Sequence, residues 1–211
     1  MWAFNITREL LRISGLQVFP ERVPTDDMEM AELAKDAIVD MNPNHRWVLK
    51  IHAKLSSTTP RSYFISTNRD PRDALISRMR FLGDNFDSVM RIFQEMLELQ
   101  SHYASFPKHR ILHLDFAEIS TVPEMVIAQI ATALDLTVPQ TVVRELAIRF
   151  SKANVQKRID TLTKQSDDVQ AQDFVDTVRN RDGSIRIFDK GTGLQSGHVS
   201  NYQDGDWRTL L

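Results

Sequence analysis

Apolar residues recur along this chain at two spacings, one typical of helices and one typical of strands. The predicted helices cover Trp2–Ser14, a segment opened by Thr25-Asp26-Asp27, a segment started by Asp70-Pro71, and then Ser88–His102, Pro123–Leu134 and Pro139–Phe150. The predicted strands cover Arg46–His52, Ser62–Thr67 and His109–Leu114, with a weaker strand around Ile185 and Ile187. Strand–helix alternation at this spacing predicts an α/β fold with a mainly parallel sheet.

The pattern changes after Ser151, where charged residues and glutamine replace large apolar residues up to Phe174. Glycines then cluster between Arg179 and Gly205. The chain has no internal repeat, and 211 residues are enough for one domain with a full core. We therefore expect a single domain over residues 1–211, with 151–211 as an irregular segment.

Charge and composition exclude several classes of function. The chain has 26 Lys and Arg against 28 Asp and Glu, and this net charge of -2 gives no reason to expect a nucleic-acid partner. It has no cysteine, which excludes disulfides, thiolate metal sites and cysteine nucleophiles. His, Asp and Glu show no metal-ligand spacing. No apolar run approaches the ~18–20 residues that cross a bilayer, so we expect a soluble, cytoplasmic protein.

Candidate chemistry begins at the end of the strand predicted for Arg46–His52. Alternate residues of a strand share a face, which places Lys50 beside His52 near the strand's carboxyl end. A histidine can accept a proton at neutral pH. A neighbouring lysine favours the neutral imidazole and can hold a transferring anionic group. The simpler interpretation is a strand whose last residues emerge into solvent. The Lys50–His52 pair alone does not decide between this interpretation and a catalytic one.

The next strand leads into a pattern typical of phosphate binding. Arg69 follows that strand, and Asp70-Pro71 starts a helix whose free N–H groups point to the same place. Ser77 lies eight residues beyond Arg69, about two turns into the helix. An arginine fork and a serine hydroxyl suit the oxygens of a phosphate monoester. The alternative is that Arg69 pairs with an acid such as Asp73 while Ser77 caps or packs, and the residues leave both interpretations open.

The run Ile65–Ser77 resembles the 3′-phosphate-binding motif of the sulfotransferases that use 3′-phosphoadenosine 5′-phosphosulfate (PAPS). In that family an arginine at a strand end and a serine eight residues later hold the 3′-phosphate, and Arg69 and Ser77 match both identity and spacing. The resemblance implies a P-loop NTPase-like three-layer α/β fold, in which helices flank a mainly parallel central sheet. It also implies that residues 151–211 cover the cofactor.

Three further matches occur in family order. Leu49–His52 is similar to the segment that carries the catalytic base, which implies His52 as base and Lys50 as a contact to the sulfuryl group. Trp2–Asn5 is similar to the start of the first helix, where a tryptophan stacks near the adenine. Gly205–Arg208 resembles a Gly-Asp-Trp-Lys segment near the family's C-terminus, which implies Gly205 as a cofactor contact.

The sequence also departs from the family at both ends. In the family a strand and a Lys-Ser-Gly-Thr-Thr loop precede the position of Trp2 and cradle the 5′-phosphosulfate, whereas this sequence begins at Met1. We expect a shortened version of a longer protein, because the downstream motifs are complete; the alternative is a loss of donor binding. Near the other end, Ser200-Asn201-Tyr202 replaces an Arg-Lys-Gly triplet. Ser200 and Asn201 can donate hydrogen bonds to the cofactor but bring no charge.

The resemblance implies metal-free transfer of a sulfuryl group from PAPS to a hydroxyl or amine of a small-molecule or glycan acceptor. Adenosine 3′,5′-bisphosphate would be the product. The alternative is a non-catalytic relative that binds 3′-phosphoadenosine nucleotides weakly or serves as an interaction module. A nucleotide kinase of related fold is disfavoured, because the sequence has no Gly-x-x-x-x-Gly-Lys-Ser/Thr segment. The acceptor stays open, as does a homo-oligomeric state.

Overall fold

The structure, a computed structural model, describes residues 1–25, 27–52, 54, 59–82, 85–165, 175–179, 185–195 and 208. Its helices are α1 (Trp2–Ile13), α2 (Asp27–Val39), α3 (Pro71–Leu82), α4 (Phe86–Ala104), α5 (Phe116–Thr121), α6 (Pro123–Ala133), α7 (Gln140–Arg149) and α8 (Lys152–Gln165), with a short 3-10 helix at Lys108–Arg110. Its strands are β1 (Gln17–Phe19), β2 (His45–Trp47), β3 (Phe64–Asn68), β4 (Ile111–Asp115), β5 (Val175–Arg179) and β6 (Ile185–Asp189).

The strands pair in twos. β1 pairs with β2 and β3 pairs with β4, in both cases in parallel, while β5 and β6 form an antiparallel hairpin. Parallel partners need a crossover connection, and here α2 joins β1 to β2 while α3 and α4 join β3 to β4. The prediction of an α/β fold with mainly parallel pairing is therefore confirmed, with the described parallel strands forming two separate two-stranded sheets.

The prediction of a strand over Arg46–His52 is wrong beyond Trp47. Within the part of the chain that the structure describes, β2 pairs only with β1, and the last backbone hydrogen bond of the pair runs from Val48 N–H to the Phe19 carbonyl at 2.8 Å. Proline at position 20 fixes the backbone φ angle, and the chain then turns away so that Val23 N–H donates to the Lys190 carbonyl. Because β2 loses its partner there, Lys50 and His52 lie in an irregular segment.

The main core forms where α1, α5, α6 and α7 pack against β3 and β4. Its least exposed side chains come from α1, β4 and α6, and they are Ile6, Leu10, Leu114, Val126, Ile127 and Ile130. A second, smaller cluster joins α1 to β6 through Phe4, Val23 and Phe188, and Val48 and Leu49 pack against it. This second cluster holds the segment that carries Lys50 close to α1.

The expectation of an irregular segment after Ser151 is wrong for the residues that the structure describes there. Lys152–Gln165 form α8, and residues 175–179 and 185–189 form the β5–β6 hairpin. Arg158 on α8 binds the carboxylate of Asp189 through Nε at 3.0 Å and Nη2 at 2.8 Å. The weak strand predicted around Ile185 and Ile187 is confirmed as β6.

Candidate functional site

The candidate site lies at the carboxyl ends of β3 and β4. The two strands end in register, with Asn68 opposite Asp115. Two residues, Arg69 and Asp70, connect β3 to α3, and α5 begins at Phe116, directly after β4. Carboxyl ends of parallel strands that meet helix N-termini are where open α/β sheets bind ligands.

Asp70 fixes the start of α3. Its Oδ1 accepts a hydrogen bond from the Arg72 backbone N–H at 2.9 Å, and its carboxylate forms a forked ion pair with the Arg72 side chain at 2.9 and 2.6 Å. These bonds, helped by the charges of Arg72 and Arg208, lower the pKa of Asp70 to about 2. The negative charge of Asp70 is therefore paired with the Arg72 guanidinium, which offsets its repulsion of an incoming anion.

Arg69 is held over an aromatic ring. Its guanidinium carbon lies 4.5 Å from the centroid of the Phe116 ring. The ring is placed by the start of α5, where Asp115 Oδ1 accepts a hydrogen bond from Ala117 N–H at 2.8 Å. A cation over an aromatic face is attracted by the ring quadrupole. The pairing of β3 with β4 thus brings together an arginine and a phenylalanine that are distant in sequence.

The neighbours of Arg69 are also fixed. Asn68 Oδ1 accepts hydrogen bonds from Ser66 Oγ at 3.4 Å and from Gln100 Nε2 on α4 at 3.2 Å. Leu75 and Ile76 on α3 are buried against α4, so the two helices form one unit. Ser77 lies next to this apolar contact, in the second turn of α3, and is half-buried. The predicted spacing of Arg69 and Ser77, strand end followed by helix, is therefore present in the structure.

Lys50 lies close to the N-terminus of α1. The amine of Met1 is buried, and burial together with the nearby charge of Lys50 lowers its pKa to about 5. α1 begins without a side-chain cap, so its first N–H groups and the positive end of its dipole face the same region. Lys50 is half-buried, whereas His52 is exposed. The structure gives no pleated face that Lys50 and His52 would share.

The remaining predicted site residues lie in different parts of the chain, and the structure describes only some of them. Trp2 packs, partly buried, against the main core. Ser200, Asn201 and Gly205 lie outside the described residues. Arg208 is described, and its charge acts on Asp70 at the start of α3. The charge of Arg208 therefore favours the ionised form of the Asp70 carboxylate.

A turn after β6 also approaches the N-terminus of α1. Asn5, which is buried, donates from Nδ2 to the Thr192 carbonyl at 3.0 Å. Gly193 has φ of +68°, and a Cβ at this position would lie 2.6 Å from Met1 Cε and 2.9 Å from Val23 Cγ1. Only glycine allows this turn to approach α1 so closely. The sequence shows a cluster of glycines here, but nothing in it indicates this contact.

Two kinds of feature are absent from the described residues. No group of three or more His, Asp or Glu side chains there is arranged to hold a metal ion. Within the same residues, no helix combines the length and the apolar character needed to cross a membrane.

Comparison with known proteins identifies the class. The sequence profile of the sulfotransferase family matches residues 17–140, which is more than half of the chain, so the chain belongs to the sulfotransferase family. The matched region includes Lys50, His52, Arg69, Ser77 and Phe116. No curated protein gives a significant match.

A solved structure with the same fold is the crystal structure of retinol dehydratase in complex with androsterone and the inactive cofactor PAP. The similarity has a TM-score of 0.51 at 17% sequence identity and covers 84% of this chain and 51% of retinol dehydratase. This chain therefore spans about half the length of that protein. The likeness shows the P-loop-like α/β fold of sulfotransferases.

Proposed function

We propose that this protein is a sulfotransferase that uses PAPS as donor and releases adenosine 3′,5′-bisphosphate. The observation that carries the proposal is the position of Arg69, at the carboxyl end of β3 and directly before the N-terminus of α3. Ser77 lies further along the same helix, within the region matched to the family. An arginine fork, a hydroxyl and helix N–H groups suit a phosphate monoester. The PAP in the retinol dehydratase complex supports this choice of nucleotide.

In the proposed mechanism, the residues of this chain position the donor and move one proton. Arg69 and Ser77 anchor the 3′-phosphate, and Lys50 balances negative charge on the sulfuryl group. His52 takes the proton from the acceptor hydroxyl or amine as the acceptor atom attacks sulfur. The new bond joins sulfur to this atom, and the bond from sulfur to the oxygen of the 5′-phosphate breaks. The leaving group is adenosine 3′,5′-bisphosphate.

The acceptor is proposed only as a class, a hydroxyl or amine on a small molecule or a glycan. His52 is exposed in the structure, so an acceptor group can reach it from solvent. Trp2 and Gly205 are proposed as further nucleotide contacts because they match family motifs. Ser200 and Asn201 are proposed because they occupy positions of the family's Arg-Lys-Gly triplet and can donate hydrogen bonds. Ser200, Asn201 and Gly205 lie outside the described residues.

Calorimetry with two nucleotides tests the donor site. We expect the protein to bind adenosine 3′,5′-bisphosphate at least about tenfold more tightly than adenosine 5′-phosphate, because charge-assisted hydrogen bonds to the 3′-phosphate contribute about 1.5–3 kcal/mol. We expect Arg69→Ala to remove this preference. Arg61→Ala, at an exposed arginine before β3, is the control and should keep it. If the parent binds neither nucleotide, or if Arg69→Ala matches the parent, the donor-site proposal is wrong.

A further inference from the structure

We infer that Phe116 is a positioning residue for Arg69 and thereby raises the affinity for the 3′-phosphate of the nucleotide. The inference rests on the proposed function, because it assigns Phe116 a role in the site that Arg69 forms. Its basis is the position of the Arg69 guanidinium, whose carbon is 4.5 Å from the centroid of the Phe116 ring. A ring below the guanidinium occupies one of its faces and leaves its N–H donors in the plane, where they can meet phosphate oxygens.

Phe116 can fill this role because its own position is fixed by the fold. Asp115 ends β4 opposite Asn68 of β3, so the residues that follow the two strands lie side by side. The hydrogen bond from Ala117 N–H to Asp115 Oδ1 sets the first turn of α5. Ile119, one turn further along, is buried in the main core. The ring is therefore attached to rigid structure.

The gain comes from restricting the arginine before the ligand arrives. A long arginine side chain loses rotamer freedom when it binds an anion, and this loss weakens binding. Contact with the Phe116 ring restricts the side chain in the free protein, so less freedom is lost on binding. A residue of similar size without a ring would fill the space but would not attract the guanidinium.

A matched pair elsewhere in the chain provides a control. The Arg110 guanidinium carbon lies 5.5 Å from the centroid of the Phe106 ring, and Phe106 also stacks on Phe64 at the start of β3. This pair has the same chemistry as Arg69 with Phe116, but it lies at the opposite end of the strand. Phe106→Leu therefore removes a ring that contacts an arginine, and it leaves the candidate site unchanged.

The test measures the ratio of affinities for adenosine 3′,5′-bisphosphate and adenosine 5′-phosphate by calorimetry. We expect Phe116→Leu and Phe116→Met to lower this ratio about three- to tenfold, in keeping with the strength of cation–π contacts, while the affinity for adenosine 5′-phosphate stays unchanged. Phe116→Tyr keeps a ring and should restore the ratio. Phe106→Leu should leave it at the parent value.

Each other outcome contradicts a defined part of the account. If the Phe116 variants lower the affinities for both nucleotides equally, Phe116 has only a structural role and the inference is wrong. If Arg69→Ala removes the preference while the folded Phe116→Met variant keeps it, the inference fails and the proposed function stands. If Arg69→Ala also keeps the preference, the proposed role of Arg69 fails. Thermal unfolding shows which variants are folded, and the methionine variant serves where the leucine variant does not fold.

Discussion

Arg8 is fully buried on α1 with only part of its hydrogen-bonding capacity used. Its Nη2 donates to the Glu21 carbonyl at 3.2 Å, but Nε and Nη1 have no hydrogen-bond partner among the described residues. Its guanidinium lies over the ring of Phe4, with 5.1 Å between carbon and centroid. Burial, followed by the charge of Arg12, lowers the pKa of Arg8 to about 10. Arg8 is therefore still charged at neutral pH, and its desolvation is incompletely offset.

We predict that Arg8→Met raises the free energy of unfolding by about 1 kcal/mol, because a buried charge with unused donors is replaced by an apolar chain of similar reach. Urea unfolding followed by circular dichroism measures this change. Since the lowered pKa is still about 10, the gain should be constant between pH 6 and 8. Arg12→Met, at a partly exposed ion pair with Glu9, is the control and should change stability little. A less stable Arg8→Met protein would show that the buried charge is stabilising.

The sequence predicts individual site residues only where they belong to one local motif. Arg69 and Ser77 were predicted from a single strand–helix segment, and the structure has that strand and helix. Phe116 was not predicted as part of the site, because its contact with Arg69 depends on the pairing of β3 with β4. No spacing in the sequence reports such a contact. The burial of Arg8 is likewise not visible in the sequence, where it is an ordinary polar position on an amphipathic helix.

A carboxylate joins α2 to β2. Asp40, which directly follows α2, accepts a hydrogen bond from Trp47 Nε1 at 2.7 Å and one from Asn42 N–H at 3.0 Å. His45 Nδ1 lies 2.8 Å from the same carboxylate. These bonds, that of Trp47 first, lower the pKa of Asp40 from 3.8 to about 2. These contacts hold β2 in place, and the segment with Lys50 follows β2 along the chain.

The lowered pKa fixes the sign of a pH dependence. A depressed carboxyl pKa means that the ionised form stabilises the fold above the ordinary value of 3.8, and this stabilisation is lost as the pH falls towards about 2. We predict that Asp40→Asn is less stable than the parent at pH 7 and that the difference narrows between pH 4 and pH 2. Thermal melts across this range measure it. The control is Glu32→Gln, in an exposed ion pair with Lys35, and its melting temperature should follow that of the parent at every pH. If the difference in melting temperature between Asp40→Asn and the parent stayed constant across this range, the prediction would be wrong.

At the scale of elements, periodicity predicted most helices but not the length of every strand. α1 and α4 lie within a few residues of their predicted bounds, and α3 begins at Pro71, as predicted. β2 ends early because its partner β1 turns away after Phe19, and the sequence of β2 itself does not indicate that turn. α8 was missed because its charged and amide side chains hide a helical face on which Ile159 is buried.

At the scale of the molecule, residues distant in sequence meet at the N-terminus of α1. The turn after β6 is fixed by Asp189, a buried carboxylate that accepts hydrogen bonds from Thr192 Oγ1 at 2.6 Å and from Arg158. Asn5 holds the same turn on α1. No pattern in the sequence predicts either of these contacts. The contacts themselves arise from tertiary packing.

The proposed sulfuryl transfer from PAPS, with His52 as base, can be measured with PAPS labelled in its sulfuryl group. The protein is incubated with a panel of hydroxyl and amine acceptors, and labelled product is counted together with adenosine 3′,5′-bisphosphate. We predict transfer that falls at least about 100-fold in His52→Ala, with the affinity for adenosine 3′,5′-bisphosphate unchanged. The control His109→Ala, at an exposed histidine before β4, should keep parent activity.

Two results would contradict this claim. A parent protein that binds adenosine 3′,5′-bisphosphate but transfers nothing to any acceptor would support the alternative of a non-catalytic nucleotide-binding relative. Full turnover by His52→Ala would remove His52 as the base.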